Sequence, residues 1–76
     1  MLENLVGEYV LLFCMNYFYA GKLVETDSEY VRLENPQIVY ETGAFDAKVF
    51  KDAQDLPTGE WFVARSMIES WGKLSQ

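Results

Sequence analysis

The sequence predicts a small, mainly β domain in which a short N-terminal helix precedes five short strands that curl into a closed or nearly closed barrel. Three observations lead to this prediction. Segments rich in β-branched and aromatic residues recur along the chain, polar turn-forming clusters separate them, and the 76 residues suffice for one domain with a modest core. A flat sheet of this length would leave one face uncovered, which favours a barrel.

The N-terminal helix is predicted from Leu2, Leu5 and Val6, which fall at positions i, i+3 and i+4 and form one apolar stripe. Gly7 is suited to end such a helix. The first strand is predicted over residues 8–19. Its centre is apolar without alternation, so we expect it to be covered on both faces, by the barrel interior on one and by the helix or a neighbouring subunit on the other.

The remaining elements follow from turn signals. Residues 22–26 and 30–34 predict a hairpin with a short acidic turn, and Pro36, which lacks an N–H group, is expected to break the pairing before a further strand at residues 38–40. A variable connection is expected over residues 42–59, then strands over residues 61–64 and 66–71, then a frayed tail over residues 73–76. The whole chain, residues 1–76, is read as a single domain.

Two segments resemble the motifs of the Sm-like (LSm) family. Residues 19–25, continuing from Asp27 to Leu33, resemble the first motif, with Gly21 at the point where the strand bends sharply and a side chain would clash. Residues 62–71 are similar to the second motif, with Ser66 in the place of the family's usual glycine. The resemblance spans nearly the whole chain and implies a bent five-stranded Sm-like (SH3-like) small barrel. It extends to the compact, diverged Sm-like proteins of phage-type genomes.

Composition limits the classes of function. Cys14 is the only cysteine and histidine is absent, so we expect no intrachain disulfide, no Cys/His zinc site, no cofactor and no cysteine nucleophile with a histidine base. Glu8 and Glu69 are the only carboxylates in apolar settings, and both are expected to be solvated. We therefore predict no catalytic residues and a protein that is not an enzyme. The N-terminus lacks a basic secretory region and no apolar run could span a bilayer, which favours a cytoplasmic protein without a membrane partner.

Surplus apolar surface favours self-association. Half of the residues are hydrophobic and 16% are aromatic, more than so small a core absorbs, and large exposed apolar patches usually mark interfaces. A monomer with several surface aromatic residues is the alternative. The resemblance implies a homo-oligomeric ring of about five to seven copies with head-to-tail interfaces. It places the interface on the last two strands, at Trp61, Phe62, Val63, Met67, Ile68 and Trp71.

The family holds single-stranded RNA at the inner rim of its ring. The resemblance carries that site to Asp27, Tyr30, Arg65 and Ser66. The family's base-reading asparagine falls on Val31 when counted from Gly21 and on Tyr30 when counted from Leu33, so the amide is absent either way. Tyr30 could stack on a base and Arg65 could supply a cation.

The alternative is a structural or protein-interaction ring without nucleic acid. The net charge of −6 favours it, because nucleic-acid-binding domains are usually basic. Lys48 and Lys51 lie near Phe45 and Phe50 and could follow a nucleic-acid strand, although a solvated loop explains them better. Residues 17–19 could form an aromatic platform for a peptide, with core or interface packing as the simpler explanation.

Overall fold

The computed structural model describes residues 1–74 and confirms the mainly β class, with six strands in one antiparallel sheet. The two helical segments are single 3₁₀ turns, Leu2–Leu5 and Arg65–Met67. The strands are β1 (Tyr9–Cys14), β2 (Phe18–Thr26), β3 (Tyr30–Glu41), β4 (Asp52–Asp55), β5 (Glu60–Ala64) and β6 (Ile68–Lys73).

The sheet is five positions wide although it has six strands. Its order is β4-β3-β2-β1-β6, and β5 also pairs with β3. The first half of β3 pairs with β5, from Tyr30 opposite Ala64, and the second half pairs with β4, from Gln37 opposite Asp55. Thus β4 and β5 lie end to end along the same side of β3. Within residues 1–74, β6 pairs only with β1, so the hydrogen-bond ladder does not close as the barrel prediction expected.

The first predicted strand is in fact two strands. Residues 8–19 contain a turn at Met15–Tyr17, where the amide nitrogen of Cys14 donates to the carbonyl oxygen of Tyr17 at 3.1 Å. The turn brings Phe13 opposite Phe18, and their rings stack with centroids 4.4 Å apart. Prediction failed here because apolar residues crowd both sides of the turn and only Asn16 marks it.

The N-terminal helix shrinks to one 3₁₀ turn. Leu2 is buried in the core, but Val6 is 48% exposed, so the predicted apolar stripe is incomplete. Gly7 has φ of +95° and its amide nitrogen donates to the carbonyl oxygen of Leu23 at 2.7 Å. Glycine reaches this backbone conformation without steric cost, so it ends the turn as expected.

Strand β1 is buried on both faces, as its unbroken apolar run predicts. We call the side of Leu12 the inner face and the side of Leu11 the outer face. The inner face carries the larger core cluster: Leu2, Val10, Leu12, Cys14, Leu23, Val31, Leu33 and Val63. The outer face carries Leu11, Ala20 and Val39, packed against Phe13, Phe18, Phe50, Ala53 and Leu74. The outer cover therefore comes from this chain and not from the N-terminal turn.

The sheet bends where β2 crosses β3. A Cβ atom on Gly21 would lie 2.9 Å from the carbonyl oxygen of Glu34, so the predicted clash at this glycine is present. Opposite it, β3 holds Asn35 at φ of +51° and a buried Pro36. The register of β2 shifts at this point, which is the behaviour of a β-bulge. Pro36 thus changes the partner of β3 from β5 to β4, and the strand runs through it rather than ending.

The C-terminal boundaries also differ from the prediction. Residues 66–71 divide between the second 3₁₀ turn and β6, which extends to Lys73. Leu74 donates its amide proton to the carbonyl oxygen of Tyr9 at 2.8 Å, so the tail is paired through that residue. Residues 75 and 76 of the predicted frayed tail lie outside the described part. The variable connection over residues 42–59 contains β4.

Candidate functional site

Arg65 connects three segments at one end of the sheet. Its amide nitrogen donates to the carbonyl oxygen of Glu29 at 2.8 Å, which holds the second 3₁₀ turn to the β2–β3 hairpin. Its Nη1 atom donates to Glu3 Oε2 at 2.7 Å, to the carbonyl oxygen of Asp27 at 2.9 Å and to Thr26 Oγ1 at 3.3 Å. The guanidinium group therefore joins the N-terminal turn to the hairpin.

Asp27 shapes the hairpin turn itself. Its Oδ1 atom accepts hydrogen bonds from the amide nitrogens of Glu29 at 2.7 Å and Tyr30 at 2.8 Å. These two donors stabilise the carboxylate and hold the pKa of Asp27 below its ordinary value. The hydrogen bond from Arg65 likewise lowers the pKa of Glu3. Both acidic groups are thus engaged in local structure.

The structure brings three of the four residues of the predicted RNA site together. Asp27, Tyr30 and Arg65 surround the hairpin turn, and Tyr30 lies opposite Ala64, the residue before Arg65. Ser66 follows in the exposed 3₁₀ turn. The side chain of Tyr30 is 51% exposed and is free to stack on a ligand.

The predicted RNA site has little positive charge that is not already paired with a carboxylate. Arg65 is the cation that the site would offer to a phosphate, and the carboxylate of Glu3 already neutralises it. The two alternative positions for the family's asparagine also separate in space, because Val31 is completely buried in the core whereas Tyr30 is exposed. Only Tyr30 could therefore present a side chain there, and it has no amide.

The predicted interface residues divide between core and surface. Val63 is 5% exposed and belongs to the inner core, where Trp61 and Ile68 also pack. Phe62 is 56% exposed and Trp71 is 42% exposed. Met67 is similarly exposed, so the apolar surface of the predicted interface consists of three side chains and the backbone edges of β5 and β6.

Two shallow apolar grooves lie beside these free edges. The first has a volume of about 270 Å³ and runs between β5 and the β1–β2 turn. No charged side chain lines it; its lining is Cys14, Met15, Asn16, Tyr17, Tyr19, Trp61, Phe62, Val63, Ala64 and Met67. The second has a volume of about 250 Å³ and follows β6, lined by Leu11, Phe13, Phe45, Ser70, Trp71, Gly72, Lys73 and Leu74. Adaptable aromatic and methionine side chains dominate the first groove, as in many interaction surfaces.

The other basic and aromatic candidates have local explanations. Lys51 Nζ lies 3.4 Å from Glu41 Oε2, and Phe50 packs against the outer cluster. Phe45 and Lys48 are exposed in the same connection. These residues do not form a continuous basic track.

The aromatic platform predicted at residues 17–19 is divided in the same way. Tyr17 contacts Tyr40 edge-to-face, with ring centroids 5.9 Å apart, whereas Phe18 lies in the stack on the outer face and Tyr19 packs against the inner core. Core packing therefore accounts for two of the three rings, and Tyr17 is left at the surface.

Cys14, Glu8 and Glu69 lie in different surroundings. Cys14 is buried and burial raises the pKa of its thiol, which makes the thiolate scarce. Glu8 lies 3.6 Å from Lys73 through an exposed ion pair, and Glu69 is exposed. Across residues 1–74 no group of acidic, cysteine or histidine side chains could hold a metal ion. Nor does this part of the chain contain a helix long and apolar enough to cross a membrane.

Sequence reasoning missed two features of this region. Glu3 was not identified as the partner of Arg65, because the two residues are 62 positions apart and no local pattern joins them. The first groove was also missed, because it depends on the turn at Met15–Tyr17. Comparison of the chain with protein-family models, with curated proteins and with solved structures finds no match.

Proposed function

We propose that this chain is an Sm-like module whose copies join edge to edge into a ring, and that the ring is a structural scaffold for a protein partner. The observation that carries the proposal is that β5 and β6 each have one edge without a partner strand within residues 1–74, and that an apolar groove borders each of these edges. Unpaired edges readily accept another strand, and joining them removes an aggregation hazard. An interface between two different edges is head to tail, and it generates a ring when the rotation from one copy to the next closes.

The bend of the sheet supports the Sm-like assignment. Gly21 lies at the centre of the segment that resembles the first Sm motif, and the carbonyl oxygen of Glu34 leaves no room there for a Cβ atom. The width of five strand positions also agrees with the five-stranded barrel of that family. These features support a compact barrel whose last two strands remain available to neighbours.

Electrostatics favours a protein partner over nucleic acid. The chain has six basic and twelve acidic residues. Arg32 pairs with Glu25 and Glu60, while Arg65, Lys51 and Lys73 each pair with a glutamate. A surface on which most cations are paired with carboxylates of the same chain attracts phosphate groups poorly.

The assembly is tested by light scattering on the purified chain at micromolar concentration. We expect a particle of roughly five to seven copies of the 8.8 kDa chain, about 40–60 kDa, because a closed ring pairs every β5 edge with a β6 edge. Trp71→Lys, which places a charge on β6, should reduce the particle to monomers. Val49→Lys is the matched control, because Val49 is 77% exposed in the connection before β4. A wild-type monomer at this concentration would contradict the proposal.

Single-stranded RNA binding is the second candidate, and the exposure of Tyr30 beside Arg65 favours it. Short U-rich and A-rich RNAs are titrated by fluorescence anisotropy at low salt, where electrostatic attraction is strongest. If the site binds, Tyr30→Ala should weaken affinity by roughly 5- to 150-fold, since stacking contributes about 1–3 kcal/mol per base. Tyr40→Ala, a similarly exposed tyrosine, serves as control. Absence of binding at low salt would end the RNA candidate and leave the assembly standing.

A further inference from the structure

The outer face of β6 has a depression that its own side chains do not fill. Ser70 lies opposite Phe13 and Gly72 lies opposite Leu11, so two small residues occupy the outer positions of this edge strand. The second groove forms above them, with Phe45 on its rim. A Cβ atom added to Gly72 would meet nothing within 4 Å, so the space beside this glycine is open.

The outer face of β5 has the opposite shape. Phe62 lies opposite Arg32, on the outer face, while its neighbours Trp61 and Val63 point into the inner core. The ring of Phe62 is 56% exposed and projects beside an edge that has no partner strand within residues 1–74. Aromatic side chains of this kind are common anchors at protein interfaces.

Edge-to-edge pairing would bring the two features together. When two strands pair, side chains on one face of the first strand lie beside side chains on the same face of the second. Phe62 therefore meets Ser70 or Gly72 of the neighbouring copy. Trp71 lies opposite Leu12, on the other face of β6, so no register that keeps the outer faces on one side places Phe62 against it. Because β5 and β6 run in the same direction at opposite edges of the sheet, the pairing that keeps their outer faces on one side is parallel.

We propose that Phe62 of one copy inserts into the β6 groove of the next copy, above Gly72 and between Leu11, Phe13 and Phe45. The inference rests on the proposed edge-to-edge assembly and adds its anchor. The occupant is a second copy of this chain, because the β5 edge presents a bulky outer side chain that matches the small outer residues of β6. The groove also has the apolar lining that an aromatic ring requires.

The test exchanges the large and small residues and measures assembly by analytical ultracentrifugation. Phe62→Ala removes the anchor and Gly72→Phe fills the groove, so we expect each to weaken association by about tenfold or more. The double variant F62A/G72F restores a large residue opposite a small one and should recover part of the lost association. Tyr40→Ala, an exposed aromatic residue away from the β6 groove, should leave association unchanged.

The outcomes separate this inference from the proposed assembly. Circular dichroism is used first to check that each variant keeps its β spectrum. If Gly72→Phe does not fold, Phe62→Ala still tests the anchor, because the Phe62 side chain is outside the core. If the wild type is monomeric, both the assembly and the anchor are refuted. If the wild type assembles and both single variants assemble equally well, only the anchor is refuted. A double variant no stronger than the weaker single variant would contradict direct contact between positions 62 and 72.

Discussion

Gly21 has the clearest individual requirement in the chain. The nearest atoms to an added Cβ are the carbonyl oxygen of Glu34 at 2.9 Å, Leu33 Cβ at 3.2 Å and Pro36 Cα at 3.4 Å. Two of these three atoms belong to the backbone, which cannot move aside without displacing β3. The bend in the sheet is therefore a direct consequence of the missing side chain.

Gly21→Ala should lower the free energy of unfolding by about 1–3 kcal/mol, the usual cost of forcing an extra methyl group into a packed site. Chemical denaturation measures the effect. Gly59→Ala is the control, because a Cβ at Gly59 meets nothing within 4 Å, and it should change stability by less than about 0.5 kcal/mol. Equal stability of the two variants would show that the bend does not depend on Gly21.

At the scale of elements, the contact between the N-terminal 3₁₀ turn and the β2–β3 hairpin depends on ionised carboxylates. Glu3 and Asp27 both have a pKa below the ordinary value in the folded protein. For such groups the stabilising contribution is present above the unfolded-state pKa and is lost as the pH falls through the folded-state pKa. The relevant range therefore begins near pH 4.5 for Glu3 and 3.8 for Asp27 and extends downwards.

We expect the thermal midpoint to fall on acidification below about pH 4.5 and the fall to be shallower in Glu3→Gln, which cannot titrate at position 3. Differential scanning calorimetry between pH 2.5 and 7 measures both curves. Asp46→Asn, in the exposed connection before β4, is the control and should follow the wild type. Parallel curves for the wild type and Glu3→Gln would show that the contact with Arg65 does not contribute.

The elements differ in how far the sequence determines them. Strand β5 was predicted within one residue, because four apolar residues follow a polar, glycine-containing segment. The turn at Met15–Tyr17 was missed because its flanking residues are as apolar as the strands, so no change of composition marks it. The long β3 was cut at Pro36, since local rules give the cost of a missing N–H group but not that the strand tolerates it at the irregularity between its β5-paired and β4-paired halves.

The candidate site shows the same limit. The proximity of Arg65 to Asp27 was implied by the family resemblance, and both residues were named. That Arg65 is neutralised by Glu3 depends on packing between the two ends of the chain, which no local pattern encodes. The exposed Phe62 was included in a predicted interface, but its outward direction follows only from its register opposite Arg32.

At the scale of the whole molecule, the residues of the predicted interface divide between the core and the surface. Trp61, Val63 and Ile68 stabilise the inner core of one copy, whereas Phe62, Met67 and Trp71 remain at its surface. This division is why Trp71→Lys is expected to separate copies while leaving each copy folded. Binding between folded copies also stabilises each copy. The thermal midpoint of the wild type, measured by differential scanning calorimetry, should therefore rise with protein concentration.

The pairing of β1 with β6 joins the two ends of the chain, from Val10 opposite Lys73 to Cys14 opposite Ile68. During synthesis, β1, β2 and β3 can pair with one another as soon as their own residues are available, but the second edge of β1 must wait for β6. Until then one edge of β1 and the outer side chains Leu11 and Phe13 lack their final cover. Long-range pairing of this kind slows folding. Of the six described strands, the last to be made is thus the one that covers the free edge of β1, and the interval before its arrival exposes the nascent chain to wrong partners.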